Sequence, residues 1–212
     1  MNKEPGRTNS AIFVVDDDAS LREALGSLLG SIGLDVRTFG STREFLESNL
    51  PDAPSCLVLD VRLPGASGLD FHSDLVKAGI LIPVIFITGH GDVPMAVRAM
   101  KSGAIEFLTK PFREQDLLDA VNAALERDRA RRHQDKVISS ARSLFDSLSP
   151  REQKVMALVS SGLMNKVIAA ELGLSEVTVK VHRGNVMRKM RAKSLADLVR
   201  VADILEIRSK GS

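Results

Sequence analysis

Residues 11–18, with the sequence AIFVVDDD, place three carboxylates directly after five apolar residues. An apolar run of this length, bounded by polar residues, is typical of a buried β-strand. Four more short runs rich in Val, Ile and Leu follow at residues 34–39, 56–59, 82–87 and 104–108. Segments with helical spacing of apolar residues separate these runs. The alternation predicts an α/β domain with a doubly wound, five-stranded parallel sheet.

Polar residues stand at the ends of three later runs. Asp60 closes the third run, Thr88 closes the fourth and Lys110 follows the fifth. Ligands of such sheets bind at the carboxyl ends of the strands. We therefore expect these three residues to meet Asp16 and Asp17 at one edge of the sheet.

These residue types suit phosphoryl transfer. Clustered carboxylates repel one another, and a hard divalent cation such as Mg²⁺ relieves the repulsion. Asp60 can accept a phosphoryl group as an aspartyl phosphate, while Lys110 neutralises the transferring oxygens and Thr88 donates a hydrogen bond. Taken singly, Asp18 could instead cap a helix that begins near Ser20, and Lys110 could be a solvated loop lysine.

Length and charge indicate a second domain with a different partner. A chain of 212 residues suggests two domains of roughly 100 residues each. Residues 1–120 hold 11 Lys and Arg against 17 Asp and Glu, whereas residues 121–212 hold 18 against 10. A basic second half points to a polyanion such as nucleic acid.

Other features of the sequence predict a cytoplasmic protein with no membrane partner. No apolar run approaches the length of a bilayer span, and the first residues lack a secretory signal pattern. The single cysteine, Cys56, lies in an apolar run and is expected to be a buried hydrophobe rather than a redox group. His72 and His133 are expected on helix surfaces.

Residues 113–147 have a helical pattern and include the charged stretch ERDRARRHQDK. We expect the last helix of the first domain to continue here as a helical linker over residues 126–147, with the charge run as a solvated face. Ser149 as N-cap and Pro150 at the first helical position then mark a new helix.

Residues 148–212 predict a small all-α domain of four helices, over 150–161, 165–172, 176–190 and 195–207. Ala169, Gly173 and Val179 have the spacing of a helix-turn-helix, and Ser175 can cap its second helix. That helix could enter a major groove, or it could be a basic surface helix that only packs. The candidate DNA-binding residues are Thr178, Lys180, Val181, His182, Arg183, Asn185 and Lys189.

The motifs carry two resemblances. VVDDD, CLVLDVRLPGASGLD, PVIFITGHGD and FLTKPF resemble the receiver domains of two-component response regulators, over residues 1–125. Residues 148–207 are similar to the LuxR-type helix-turn-helix DNA-binding domain, and TVKVHRGNVMRKM carries most of the specificity of this resemblance. Together they resemble response regulators of the FixJ/NarL class, with a flavodoxin-like receiver.

The receiver resemblance implies roles for single residues. Asp60 would be phosphorylated by a sensor histidine kinase, and the chain would otherwise be no enzyme. Asp17 and Asp60 would bind Mg²⁺ directly, Asp16 largely through water, and the backbone carbonyl of Arg62 would complete the ligands. Phe107 would be the aromatic switch residue, whose rotation follows Thr88 as the latter moves toward the phosphoryl group; the sequence alone equally allows a core phenylalanine of the fifth strand.

The resemblance also implies a regulatory output. Lys110–Pro111 resembles the cis peptide of receivers. Phosphorylation would promote a homodimer, which would then bind promoter DNA, as an activator that works with RNA polymerase. The dimer would form through the fourth helix and fifth strand, where a salt bridge between copies is possible; the residues concerned are Val97, Lys101 and Glu106.

Two other functions would use parts of the same set of residues. A Mg²⁺-dependent phosphohydrolase would use the same aspartyl intermediate, but Arg62 stands where a second acid/base would follow Asp60 by two residues. The basic half also stays unexplained by that activity. A DNA binder whose first domain only binds partners, without phosphorylation, is disfavoured by the complete set of site residues.

Overall fold

The structure is a computed structural model that describes residues 10–207. The chain divides into two compact units, Met1–Arg132 and His133–Ser212. The helix Glu114–Asp146 contains this division.

Unit 1 contains a five-stranded parallel sheet. Its strands are β1 Ala11–Val15, β2 Asp35–Phe39, β3 Ser55–Asp60, β6 Val84–Thr88 and β7 Glu106–Thr109. They lie in the order β2-β1-β3-β6-β7. A small antiparallel hairpin joins β4 Arg62–Leu63 to β5 Ala66–Ser67. The helices are α1 Ala19–Ser31, α2 Thr42–Glu47, α3 Gly68–Lys77, α4 Val93–Lys101 and the part of α5 Glu114–Asp146 that ends at Arg132. The predicted doubly wound sheet is confirmed.

The central strands are buried on both faces. Alternate residues of β1 enter two separate apolar clusters: Ile12 and Val14 lie in one, Phe13 and Val15 in the other. This explains why the strand is a continuous apolar run rather than an alternating one. The parallel register brings the carboxyl ends of the strands to a common edge.

Two local features shape that edge. Asp18 is the N-cap of α1, and its side chain accepts hydrogen bonds from the backbone N–H groups of Ser20 and Leu21. The capping alternative is therefore correct for Asp18. On the other side, Gly68 begins α3 directly against β3, with its N–H donating to the carbonyl oxygen of Val61 at 2.9 Å.

Unit 2 contains the four predicted helices, which are confirmed. They are α6 Pro150–Ser160, α7 Asn165–Leu172, α8 Glu176–Lys189 and α9 Leu195–Ile204. Ser149 caps α6 in a capping box with Glu152, and Pro150 occupies the first turn as expected. Buried apolar residues from all four helices form one cluster.

The helix-turn-helix spacing is also confirmed. Ala169 is buried and Val179 is fully buried, so both can hold the two helices together. Gly173 ends α7 in the left-handed region with φ of 66°, a conformation that favours glycine. The side chain of Ser175 accepts a hydrogen bond from the N–H of Thr178 and caps α8.

Burial corrects two expectations and confirms a third. His72 is only 5% exposed, because its ring packs edge-on against Phe86 and its Nδ1 lies 3.3 Å from the Ser102 hydroxyl. Its predicted position on a helix surface is wrong. The solvated charge run is wrong for Asp128, which is 1% exposed. Cys56 is buried as predicted.

The buried carboxylate of Asp128 has a reason in the tertiary fold. It accepts the backbone N–H of Ser55 at 2.9 Å and pairs with Arg131 and Arg132 at 2.6 Å each. These bonds lower the pKa of Asp128 against the opposing effect of its burial.

Among residues 10–207, no helix is both long and apolar enough to cross a membrane.

Candidate functional site

The five predicted site residues meet at the carboxyl edge of the sheet in unit 1. The ammonium of Lys110, after β7, lies 2.6 Å from Oδ2 of Asp16, after β1. The same ammonium lies 2.9 Å from Oδ2 of Asp60 at the end of β3. Lys110 follows Asp16 by 94 positions and Asp60 by 50, and its ammonium binds both carboxylates.

Three carboxylates form the acidic part of the site. One oxygen from each of Asp16, Asp17 and Asp60 lies within 4.8 Å of the other two. Asp16 and Asp60 are buried, whereas Asp17 is exposed. Clustered hard oxygen donors with one open side fit Mg²⁺, which keeps several waters and takes further oxygens from a phosphate.

Burial and pairing act on these groups in opposite directions. Burial raises the pKa of Asp16, while the hydrogen bond from Lys110 opposes the rise. Burial alone would lower the pKa of Lys110, but its bonds to Asp16 and Asp60 outweigh that and leave it raised. Lys110 is therefore held as a cation beside Asp60.

The backbone around Asp60 is also organised. Oδ1 of Asp60 accepts the N–H of Arg62 at 3.0 Å, so the main chain of Arg62 lies beside the carboxylate. Sequence analysis missed two contacts at this edge. The guanidinium of Arg22 donates to the carbonyl oxygen of Asp16 at 2.7 Å. A Cβ on Gly68 would lie 2.2 Å from the carbonyl oxygen of Asp60.

Thr88 and Lys110 are linked through the backbone. The N–H of Lys110 donates to the carbonyl oxygen of Thr88 at 2.7 Å, and the Thr88 hydroxyl accepts the N–H of His90 at 3.3 Å. Thr88 is fully buried and Phe107 is partly buried. The Lys110–Pro111 peptide is cis, as expected.

The three residues predicted at a dimer interface are all exposed. Val97 and Lys101 lie on α4, and Glu106 lies on β7. Val97 is 44% exposed, and two other apolar residues of α4, Val93 and Met100, are 77% and 46% exposed. One surface of unit 1 therefore combines uncovered apolar groups with charges of both signs.

In unit 2, α8 presents part of the predicted DNA-binding set. Buried Val179 and Val186 fix the helix in the core, and Lys180 and Val181 are exposed. The remaining predicted residues, each partly exposed, are Thr178, His182, Arg183, Asn185 and Lys189.

Two of these basic residues have partners inside unit 2. The ammonium of Lys189 lies 2.7 Å from a carboxylate oxygen of Glu152, whose side chain is 5% exposed. Arg183 donates to Oδ1 of Asn165 at 3.2 Å. Lys180 is exposed and has no ion pair with any residue in 10–207, so its ammonium is available to a phosphate.

Comparison with known proteins matches each unit to a family. Residues 12–122 match the response regulator receiver domain, and residues 146–202 match bacterial regulatory proteins of the luxR family. Nodulation protein W of Bradyrhizobium diazoefficiens is 62% identical over 200 residues, 94% of this chain and 88% of that protein. Response regulator protein TodT of Pseudomonas putida is 50% identical over 197 residues, 93% and 87% of the two chains.

Solved structures of response regulators are also similar to this chain. The response regulator StyR has a TM-score of 0.83 and 51% identity, covering 92% of this chain and 99% of that one. Full-length FixJ from B. japonicum has a TM-score of 0.57 and 39% identity, covering 95% and 100%. This chain belongs to the two-component response regulators, transcription regulators that join a receiver domain to a LuxR-type DNA-binding domain.

Proposed function

We propose that the chain accepts a phosphoryl group on Asp60 from a sensor histidine kinase and then dimerises to bind promoter DNA. The position of Asp60 carries this proposal. Asp16 and Asp60 both bond to the Lys110 ammonium within the acidic cluster, but the Asp60 side chain is 9% exposed and that of Asp16 is 0% exposed, so Asp60 is the one that a phosphoryl donor can reach. A regulator of transcription acts where the DNA is, so we place it in the cytoplasm.

The chemistry at Asp60 is a displacement at phosphorus. A carboxylate oxygen of Asp60 attacks the phosphorus of a phosphohistidine, a P–O bond forms, and the P–N bond breaks. The imidazole leaves with the electron pair and takes up a proton. Lys110 stabilises the negative charge on the transferring oxygens, and the Thr88 hydroxyl can donate to one of them.

Asp16, Asp17, Asp60 and the backbone carbonyl of Arg62 would hold Mg²⁺. When bound, the ion neutralises the clustered carboxylates and the phosphoryl oxygens. The chain's own contribution is to keep the donors together: Lys110 ties Asp16 to Asp60, and the N–H of Arg62 fixes the carboxylate orientation.

We further propose that movement of Thr88 toward the phosphoryl group changes the position of Phe107 and favours pairing through Val97, Lys101 and Glu106. The uncovered apolar groups on α4 support a surface that is buried in a dimer. If Lys101 and Glu106 form salt bridges between copies, Lys101→Glu and Glu106→Lys should each weaken the dimer, and the double reversal should restore it. A double reversal that stays monomeric would exclude this pair.

The DNA-binding role rests on α8. Lys180 and Val181 are exposed on a helix whose opposite side is fixed in the core, which is the arrangement that major-groove binding needs. Further contacts to bases or phosphates would come from Thr178, His182, Arg183 and Asn185. RNA polymerase would be the downstream partner of an activator. Lys189 would contribute less, because Glu152 already pairs with it.

We also propose that residues 126–147 connect a receiver over 1–125 to a DNA-binding domain over 148–212. The family matches support this division, since one ends at residue 122 and the other begins at residue 146. Residues as far as Arg132 nevertheless belong to the compact first unit.

Size-exclusion chromatography with light scattering tests the phosphorylation step. Wild type and Asp60→Asn would be compared with Mg²⁺, with and without acetyl phosphate, and intact mass would report phosphorylation. We expect a mass increase and a shift from monomer to dimer in wild type alone. A mass increase of equal size in Asp60→Asn would place the phosphoryl group elsewhere.

Promoter binding has its own test. Lys180→Ala should weaken DNA affinity by about tenfold, while phosphorylation of Asp60 is unchanged. The slope of the logarithm of affinity against the logarithm of salt concentration should become shallower by about one. Lys77→Ala, an exposed lysine of unit 1 that pairs with Asp74, is the matched control. Equal affinity of both variants would contradict the assignment of α8.

A further inference from the structure

Gly91 lies in the loop 89–92 between β6 and α4, and its backbone is packed against both proposed switch side chains. A Cβ on Gly91 would lie 2.9 Å from Cε1 of Phe107, 3.0 Å from Cγ2 of Thr109 and 3.1 Å from Cγ2 of Thr88. Carbon atoms in proteins pack at about 3.5–4.0 Å. The loop therefore passes over these three side chains with no space for a side chain of its own.

The three neighbours differ in their freedom to move. Thr88 and Thr109 stand opposite each other in the register of β6 and β7, and Thr88 is fully buried. Phe107 is only partly buried, and its ring turns about single bonds. A methyl group at position 91 would therefore be accommodated by movement of the Phe107 ring or of the loop itself.

We propose that Gly91 is a positioning residue that couples Thr88 to Phe107. This inference rests on the proposed function. When Thr88 turns toward phosphorylated Asp60, its methyl group withdraws from beneath Gly91. The loop follows, and the position open to the Phe107 ring changes. Glycine is required because a Cβ at position 91 would crowd both side chains at once.

Gly89 provides a matched control in the same loop. A Cβ there would meet no atom within 4 Å, and neither Gly89 nor Gly91 has a positive φ. Alanine at both positions thus makes the same chemical change, with crowding at only one of them.

The test follows the ring of Phe107 directly. Full-length wild type, Gly91→Ala and Gly89→Ala would carry ¹³C-labelled phenylalanine rings, and the Phe107 signal would be identified by its absence from Phe107→Leu. Spectra would be recorded with Mg²⁺, before and after acetyl phosphate. Intact mass would confirm phosphorylation.

We expect Gly91→Ala to shift the Phe107 signal before acetyl phosphate is added. The further change on phosphorylation should be smaller than in wild type by about twofold or more. Gly89→Ala should match wild type in both states. Wild-type spectra for Gly91→Ala before and after phosphorylation would overturn the proposal.

Two further outcomes are also decisive. If the mass of wild type does not increase, the proposed function is refuted. If Gly91→Ala is phosphorylated and its Phe107 signal equals that of wild type in both states, only the coupling is refuted. If Gly91→Ala does not fold, it is combined with Phe107→Leu, which removes Cε1. Recovery of the thermal transition of the Phe107→Leu single variant supports the crowding, and continued unfolding refutes it.

Discussion

Replacement of Gly68 by alanine should damage both the stability of unit 1 and its candidate site. The added Cβ would lie 2.2 Å from the carbonyl oxygen of Asp60, and 3.1 Å from the carbonyl carbon of Asp60 and from Cα of Val61. All three are backbone atoms, two at the end of β3 and one in the residue that follows it. No flexible side chain can therefore move aside to relieve the contact. Relief of the contact needs a displacement of about 1 Å.

The magnitude follows from this crowding. Overpacking of a close-packed interior costs about 1–3 kcal/mol, and a backbone obstacle places Gly68→Ala at about 3 kcal/mol. This corresponds to about a 150-fold change in the unfolding equilibrium. Because a misplacement of about 1 Å can slow a reaction about 100-fold, phosphorylation of Asp60 should slow by a similar factor.

Urea denaturation, followed by the methyl NMR signals of unit 1, measures the first effect, and intact mass against time with acetyl phosphate measures the second. Gly30→Ala in α1 is the control, because a Cβ there meets no atom within 4 Å. Alanine should stabilise that helix position by about 1 kcal/mol. Equal urea midpoints for the two variants would refute the close approach of Gly68 to β3.

Three predictions concern unit 2. Lys189→Met should destabilise it by about 3 kcal/mol, because the buried Glu152 carboxylate would keep only its Ser149 contacts, and methyl NMR signals of unit 2 in urea measure this. In unit 1, Arg43→Met removes the exposed ion pair of Arg43 with Glu47 and should cost little in the urea midpoint reported by the signals of unit 1; an equal cost for the two variants would contradict the argument. Lys189 and Ser149 lower the pKa of Glu152 from 4.5 to about 2. The pKa of Glu152 is lower in the folded than in the unfolded chain, so this stabilisation is complete above pH 4.5 and is lost as the pH falls toward 2. Glu152→Gln should therefore make the urea midpoint of unit 2 less dependent on pH in the acid range. An unchanged dependence on pH would count against the ion pair of Glu152 with Lys189. Ser160→Ala should stabilise unit 2 by about 1 kcal/mol, since the buried hydroxyl has no hydrogen-bond partner in the described chain, and a lower melting temperature would show that the hydroxyl is bonded.

Much of the site could be predicted because its signals are local. The end of a parallel strand is marked by the change from apolar to polar residues, as at Asp16, Asp60 and Thr88. The topology then brings strand ends together without further information from the sequence. The helix caps Asp18, Ser149 and Ser175 are equally local, since each bonds to backbone groups within three residues.

The features that sequence analysis missed are long-range contacts. Asp128 looked like one charge among many, and only its approach to Ser55, 73 positions away, explains its burial. The sequence predicts His72 on a helix surface, but Phe86 and Ser102 contact its ring and bury it. Lys189 looked like one more basic residue of a DNA-binding helix, but Glu152 lies 37 positions before it.

The sequence by itself determined the α/β and all-α domains, the edge where the carboxylates and Lys110 meet, and the helix that carries Lys180 and Val181. Periodicity, caps and turn glycines are properties of neighbouring residues, and they appear directly in the order of the chain. Only the tertiary structure decided which charges are paired, which polar side chains are buried, and that Gly68 and Gly91 have no space for a Cβ. Those properties depend on distances between atoms far apart in sequence, and close packing sets such distances to within a few tenths of an ångström.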